Sequence, residues 1–224
     1  MTELFIANIP ERGQNSYFWP LLDPDTISRE TSRISNQTYL NAHLTALSVL
    51  TYALRKATGY QNITLPVMSK NKHGKPYFEN FPMKFNWSHS GRKLLLGVSN
   101  QEIGVDIEQS KDRNLAQVAS RFFSADEVAY LQNNPKDEFF RLWVLREAVG
   151  KYIGTGLQAF QDLTIKPNER IIQYQKTEMN NAFVGKYEAY YLAVVAEDTV
   201  EKAKILTDDF SGEENETLTI ERFC

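Results

Sequence analysis

The sequence predicts an α+β fold, with small antiparallel sheets packed against separate helices, and three observations carry that prediction. Tyr39–Thr58 and Lys136–Ile153 read as long helices, short strand-like runs rich in β-branched and aromatic residues occupy 85–108 and most of the chain after 163, and Gly, Pro and Asn punctuate the junctions. With 224 residues, 42% of them hydrophobic, the chain has enough apolar material to bury one large core or two small ones.

In chain order, Leu4–Ile9 reads as a strand stopped by Pro10. The Tyr39–Thr58 helix carries Arg55 and Lys56 in its last turn and Gly59 as its cap. Ser69-Lys-Asn-Lys-His-Gly-Lys-Pro76 is polar and basic, as expected of an exposed loop. Phe85–His89 and Lys93–Ser99 form strands joined around Ser90-Gly91-Arg92, and Ile103–Glu108 forms a third. A helical period begins at Leu115, and Ser124-Ala-Asp-Glu127 is a capping box. Asn134-Pro135 opens the Lys136–Ile153 helix, with proline in the first turn, where its missing N–H costs nothing. Leu163–Lys166, Ile171–Gln175, Tyr187–Ala196 and Thr217–Glu221 complete the strands. A boundary between Ser99 and Ile103 divides the chain into residues 1–101 and 102–224.

Composition excludes several function classes. A net charge of −3 argues against nucleic acid as a partner, because phosphate-backbone affinity needs clustered excess Lys and Arg. Cys224 is the single cysteine and can form no internal disulfide, and His43, His73 and His89 show no spacing suited to zinc. The opening Met1–Pro10 lacks the basic and long apolar segments of a signal peptide, and no apolar run suggests a membrane span, so the expected location is the cytoplasm.

The most informative segment is Ile103-Gly-Val-Asp-Ile-Glu108. Strand alternation places Ile103, Val105 and Ile107 on one face and Asp106 and Glu108 on the other. Paired carboxylates of this kind suit Mg²⁺, a hard cation held by one or two carboxylates together with substrate phosphates; they equally suit a solvated acidic face. Glu147 and Lys151, four apart on the second long helix, share a face. They fit a third metal ligand and a phosphate-contacting cation, or an ordinary exposed helix pair. Gly150 stands between them, although glycine within a helix costs roughly 1 kcal/mol relative to alanine, which implies a close approach to the backbone by a ligand or by a packed neighbour.

Gly74-Lys75-Pro76, Phe85-Asn-Trp-Ser-His-Ser90, Gly104-Val-Asp-Ile-Glu108, Arg121-Phe-Phe-Ser124 and Trp143-x-x-Arg-Glu-Ala-x-x-Lys151 resemble, in order and spacing, the 4′-phosphopantetheinyl transferases of the surfactin-synthetase-activating type. The resemblance covers roughly residues 74–157. It implies a pseudo-twofold monomer of two halves with the active site in the cleft between them, and transfer of phosphopantetheine from coenzyme A to a serine of an apo acyl or peptidyl carrier protein. It further implies that Asp106, Glu108 and Glu147 bind Mg²⁺, that Lys151 contacts phosphate, that Ser88 and His89 lie near the nucleotide phosphates, and that Lys75 lies near the adenine. Glu147 is then the candidate base for the serine proton, and Gly154-Thr155-Gly156-Leu157 the carrier-contacting turn; Gly154 also reads as a plain helix cap. Phe85 and Trp87 are assigned to packing.

The chain departs from the family pattern at Val144 and Arg146, where Ser or Thr and Lys are usual, and at Leu44, where relatives commonly carry an arginine for the 3′-phosphate. Arg29, Arg33 and the Lys70-Asn-Lys72-His73 loop are the cations available instead. Two other readings of the same residues stand beside transfer: a carrier-binding module without catalysis, and a Mg²⁺-dependent hydrolase of a nucleotide diphosphate.

Overall fold

In a computed structural model of the chain, which describes residues 2–11, 19–111, 114–131, 135–200, 202–206 and 216–224, two sheets lie face to face with a long helix on the outside of each. The first half supplies β1 (Glu3–Asn8), α1 (Pro24–Arg33), α2 (Gln37–Thr58), β2 (Met68–Lys70), β3 (Pro76–Phe78), β4 (Lys84–Ser90) and β5 (Lys93–Ser99). After it come β6 (Ile103–Gln109), α3 (Leu115–Phe122), α4 (Ala125–Tyr130), α5 (Pro135–Ile153), β7 (Leu163–Lys166), β8 (Ile171–Tyr174), β9 (Thr177–Met179), β10 (Ala182–Tyr187) and β11 (Tyr190–Ala196). β12 (Lys202–Ile205), β13 (Glu216–Thr219) and β14 (Glu221–Arg222) close the order. The first sheet runs β13-β12-β1-β5-β4 and the second β14-β10-β11-β6, while β2-β3 and β7-β8-β9 form two small separate sheets.

Alternation along the strands creates the layers. In β5, Leu94, Leu96 and Val98 face α2 and pack with its Ala46, Val49, Leu50 and Leu54, whereas Leu95 faces the other sheet. In β6, Ile103, Val105 and Ile107 meet Leu4, Ile6 and Leu95 of the first sheet between the layers. The outer face of the second sheet, with Tyr191, Ala193 and Val195 of β11, is covered by Val144, Leu145 and Ala148 of α5. Phe85 and Trp87 stack on each other at 5.5 Å in the α2 layer, so both serve packing. Among the described residues no helix is long and apolar enough to cross a membrane.

The expected caps form. Gly59 ends α2 at φ +75°, its N–H bonded to the Arg55 carbonyl at 2.9 Å, and Ser124 and Glu127 form both bonds of the capping box. The expected opening of α5 at Asn134 lies outside the described residues.

Three expectations are corrected, and one helix was not foreseen. The segment read as an exposed loop at 69–76 is a hairpin of β2 and β3, and its Asn71 and Lys75 are half-buried because they anchor it to the end of α5. The strand read from Tyr187 to Ala196 is split by a turn in which Glu188 adopts φ +53°, and its first part belongs to β10, which the sequence reading left unassigned. The strand read from Thr217 to Glu221 breaks at Ile220, so that β13 joins the first sheet and β14 the second. Helix α1 was not expected, although Asp23 caps it through the Thr26 N–H at 2.8 Å and Pro24 opens it. β12 and β13 return to the first sheet beside β1, so the sheets do not separate at a single point of the chain.

One buried ion pair ties α4 to α5. Arg146, 2% exposed, grips Glu127, 0% exposed, with Nε to Oε1 at 2.9 Å and Nη2 to Oε2 at 2.5 Å, and its guanidinium lies 5.6 Å from the Phe123 ring and 5.4 Å from that of Phe160. Removing one partner strands the other charge in an apolar setting. Glu127→Ala should therefore lower stability by about 3–5 kcal/mol in urea unfolding, whereas replacing both residues with methionine should recover most of it. A single-variant loss below about 1 kcal/mol would mean that the pair behaves as a surface bridge.

Candidate active site

The site is built where two sheet edges meet. β4 ends the first sheet and β6 the second, and side chains of β4 bridge to β6 at a constant offset. Asn86 Oδ1 accepts the Val105 N–H at 2.9 Å, Ser88 Oγ donates to Asp106 Oδ1 at 2.6 Å, and Ser90 Oγ donates to Glu108 Oε2 at 2.9 Å while accepting the Gln109 N–H at 3.1 Å. Small polar residues at every second position of β4 thus satisfy the edge amides of β6 and fix its two carboxylates.

The face of β6 that carries these carboxylates is covered by α5 at close range. A Cβ on Gly104 would stand 2.1 Å from the Ala148 carbonyl oxygen and 2.3 Å from the Tyr152 nitrogen, so the helix backbone rests directly on the strand there. Asp106, two residues on, is 4% exposed, so the acidic face is covered there, while Glu108 is half-buried. Lys151 Nζ donates to Asp106 Oδ1 at 2.6 Å and to Ser88 Oγ at 2.8 Å. The helix-surface pairing of Lys151 with Glu147 thus gives way to a tertiary ion pair. Asp106 Oδ2 is buried and has no hydrogen-bond partner. Glu147 lies within electrostatic reach of both β6 carboxylates: burial first, and then the Asp106 and Glu108 charges against the opposing Lys151, push its carboxyl up to about 7.

Gly150 answers to packing. A Cβ there would meet the Gly156 carbonyl oxygen at 2.5 Å, because the 3₁₀ turn Gly156–Gln161 folds back against α5. Gly154 caps the helix at φ +83° with its N–H on the Gly150 carbonyl at 2.9 Å, and Leu157 projects from the turn 52% exposed. Thr155 Oγ1 is buried and unpartnered beside it.

Ser88, Asp106, Glu147 and Lys151 are therefore brought together, with Glu108 next along the strand. Two other expected residues are not part of that cluster. Lys75 directs its ammonium to Glu102 at 2.9 Å and to the carbonyls of Ile103 and Tyr152 at 3.1 and 3.2 Å, which uses all three of its N–H donors. It lines a neighbouring cavity of about 260 Å³ with Asn71, Tyr77, Lys84 and Gly154. His89 lies on the opposite face of β4 from Ser88, its ring 6.3 Å from that of Tyr39; the surrounding protein, and then the Lys151 ammonium, hold its imidazole below the ordinary range. Asn86 and Ser90 carry structural weight at the site that sequence reasoning did not assign, although the alternation of Asn86, Ser88 and Ser90 was the available signal.

Glu147 has a consequence for stability. Below its unfolded value of 4.5 the carboxyl is protonated in both states; as pH rises toward about 7 only the unfolded chain ionises, and native stability falls. In a chelating buffer, Glu147→Gln should therefore exceed the parent by about 1–2 kcal/mol at pH 8 and match it near pH 4 in denaturant titrations, the figure being reduced for partial solvent screening. An equal difference at both pH values would contradict the assigned environment.

Residues 102–195 match the 4′-phosphopantetheinyl transferase superfamily. The chain is similar to the 4′-phosphopantetheinyl transferase gsp of Aneurinibacillus migulanus, 29% identical over 168 residues, which is 70% of this chain and 68% of that protein. A 4′-phosphopantetheinyl transferase of Bacillus subtilis is 35% identical over 136 residues, 56% of this chain and 60% of its own length. Sfp of Bacillus subtilis strain 168 is 40% identical over 94 residues, 40% of this chain and 42% of its own length. The matched segments thus span from 42% to 68% of these relatives. The buried Asp106–Lys151 cluster lies inside the segment that matches the superfamily model.

Proposed function

We propose that this chain transfers the 4′-phosphopantetheine arm of coenzyme A to a serine hydroxyl of an apo acyl or peptidyl carrier protein, with Mg²⁺, and releases 3′,5′-adenosine bisphosphate. The observation that carries the reading is the convergence of Asp106, Glu147 and Lys151 where β6 passes under α5. In this reading residues 1–101 and 102–224 act as two halves of a monomer, with the site in the cleft between them.

The donor set suits a hard divalent cation. Among the described residues no three acidic or imidazole side chains stand close enough to form a ready-made cage. The Asp106 oxygen that has no partner, and the burial and neighbouring carboxylates that push the Glu147 carboxyl up, are the features a cation would relieve. Mg²⁺ characteristically takes one or two carboxylates and fills its shell with water and substrate phosphate, so Asp106, Glu108 and Glu147 need supply only part of it. When bound it supplies positive charge to the diphosphate oxygens.

The chain's own groups do the rest. Lys151 carries a compact ammonium on a flexible stem that can follow a phosphate oxygen as charge builds on it. Ser88, whose hydroxyl touches both Asp106 and Lys151, orients the pair. Glu147, with a carboxyl near 7, suits removal of the serine proton at neutral pH, although a cation beside it would lower that value. His89, beside Tyr39, and Lys75, in the β2–β3 hairpin, are assigned to the nucleotide end. Gly154, Thr155, Gly156 and the exposed Leu157 form a carrier-facing turn, and an apolar side chain held out by a turn packed on α5 favours a docked carrier over water as acceptor.

The test is intact-mass analysis of purified apo carrier proteins incubated with this chain, coenzyme A and Mg²⁺, with and without chelator. The expected result is a chelator-sensitive gain of one phosphopantetheinyl group, with the rate lowered about 100-fold or more by Asp106→Asn. Leu157→Asp should slow modification of the carrier mainly by raising its KM. Cleavage of coenzyme A without transfer, unaffected by Leu157→Asp, would establish the hydrolase instead; carrier binding without either reaction would establish a binding module.

A further inference from the structure

The two oxygens of Asp106 stand in different surroundings. Oδ1 accepts from Lys151 at 2.6 Å and from Ser88 at 2.6 Å, and Oδ2 is buried with no partner. A divalent cation on Oδ2 would share one carboxylate with an ammonium, in a site where Asp106 is 4% exposed and water screens little. The two positive charges then oppose each other. The Lys151 side chain is 24% exposed, while that of Asp106 is 5% exposed, so the flexible partner of the pair is the lysine. Ser88 can hold Asp106 after Lys151 departs, because its hydroxyl bonds Oδ1 independently.

We infer that Lys151 and a divalent cation compete for Asp106, so that Lys151 acts as a latch, released from Asp106 as the cation binds and free from then on to meet a phosphate oxygen of the substrate. The inference rests on the reading of Asp106 as a metal ligand and adds a coupling to it. By linkage, any anion that draws Lys151 away strengthens cation binding, and the cation strengthens anion binding by the same factor. The arrangement disfavours loading of either charge without the other.

Equilibrium binding of Mn²⁺, followed by the loss of its free electron-paramagnetic-resonance signal, tests the latch without any measurement of turnover. The proteins are the parent chain, Lys151→Met, Lys151→Gln and Asp106→Asn, each stripped with chelator and desalted. Lys151→Gln retains a donor for Asp106 without the charge and so guards against misfolding of the methionine variant. Both lysine variants should bind Mn²⁺ at least tenfold more tightly than the parent, and Asp106→Asn should lose the site. Loss of binding in Asp106→Asn, with unchanged or weaker binding in the lysine variants, overturns the latch and leaves the metal reading standing. Equal binding by parent and Asp106→Asn, or no binding by any of the proteins, overturns both.

Discussion

The site depends on how two sheet edges are joined without a main-chain ladder. Had β4 paired with β6 through backbone hydrogen bonds, the two sheets would be one, and the side chains of both strands would project away from the seam. Instead Asn86 and Ser90 accept the free edge amides of Val105 and Gln109, and Ser88 and Ser90 hold Asp106 and Glu108. The same short side chains close an edge that would otherwise invite pairing with another chain, and they set the carboxylates. Asparagine and serine are suited to this because their polar atoms stand one or two bonds from Cβ and lose little rotamer freedom when fixed.

From that seam the placement passes to α5. The helix rests on β6 with no side chain between them at Gly104, which fixes the height of Glu147 and Lys151 above Asp106. Its other close contact, Gly150 against Gly156, fixes the turn that presents Leu157. One helix therefore positions both the charged cluster and the exposed turn, each through a glycine whose replacement would push backbone away from backbone. Rigid elements hold such constellations better than loops do.

Much of this was legible in the sequence, and the limits have physical causes. Alternation assigned Asp106 and Glu108 to one face of β6, and helical spacing assigned Glu147 and Lys151 to one face of α5, because both periods are local. Neither period tells what covers a face, so a solvated acidic strand and a buried one read alike until α5 is seen across Gly104. Lys75 shows the same limit: nothing local foretells that its ammonium bonds Glu102 and two carbonyls, one of them 77 positions away. The return of β12 and β13 to the first sheet is non-local in the same sense, since β1 and β12 pair in parallel from opposite ends of the chain. The turn at Glu188 escaped because the φ > 0 position carries neither glycine nor asparagine.

Arg146 shows how a departure from a family pattern can be structural in origin. It is adjacent to Glu147, yet successive helix positions face directions about 100° apart, so Arg146 turns toward α4 while Glu147 turns toward β6. There a lysine could neutralise Glu127 but could not bond both of its oxygens in one plane while keeping a planar cation near the rings of Phe123 and Phe160. Glu127 is at the same time the capping-box residue of α4, bonded to the Ser124 N–H at 2.7 Å, so one carboxylate caps the start of a helix and anchors its neighbour. Phe160 belongs to the turn that carries Leu157. The guanidinium thus links α4, α5 and that turn through a single buried charge, and its planar geometry is what allows all of these contacts at once.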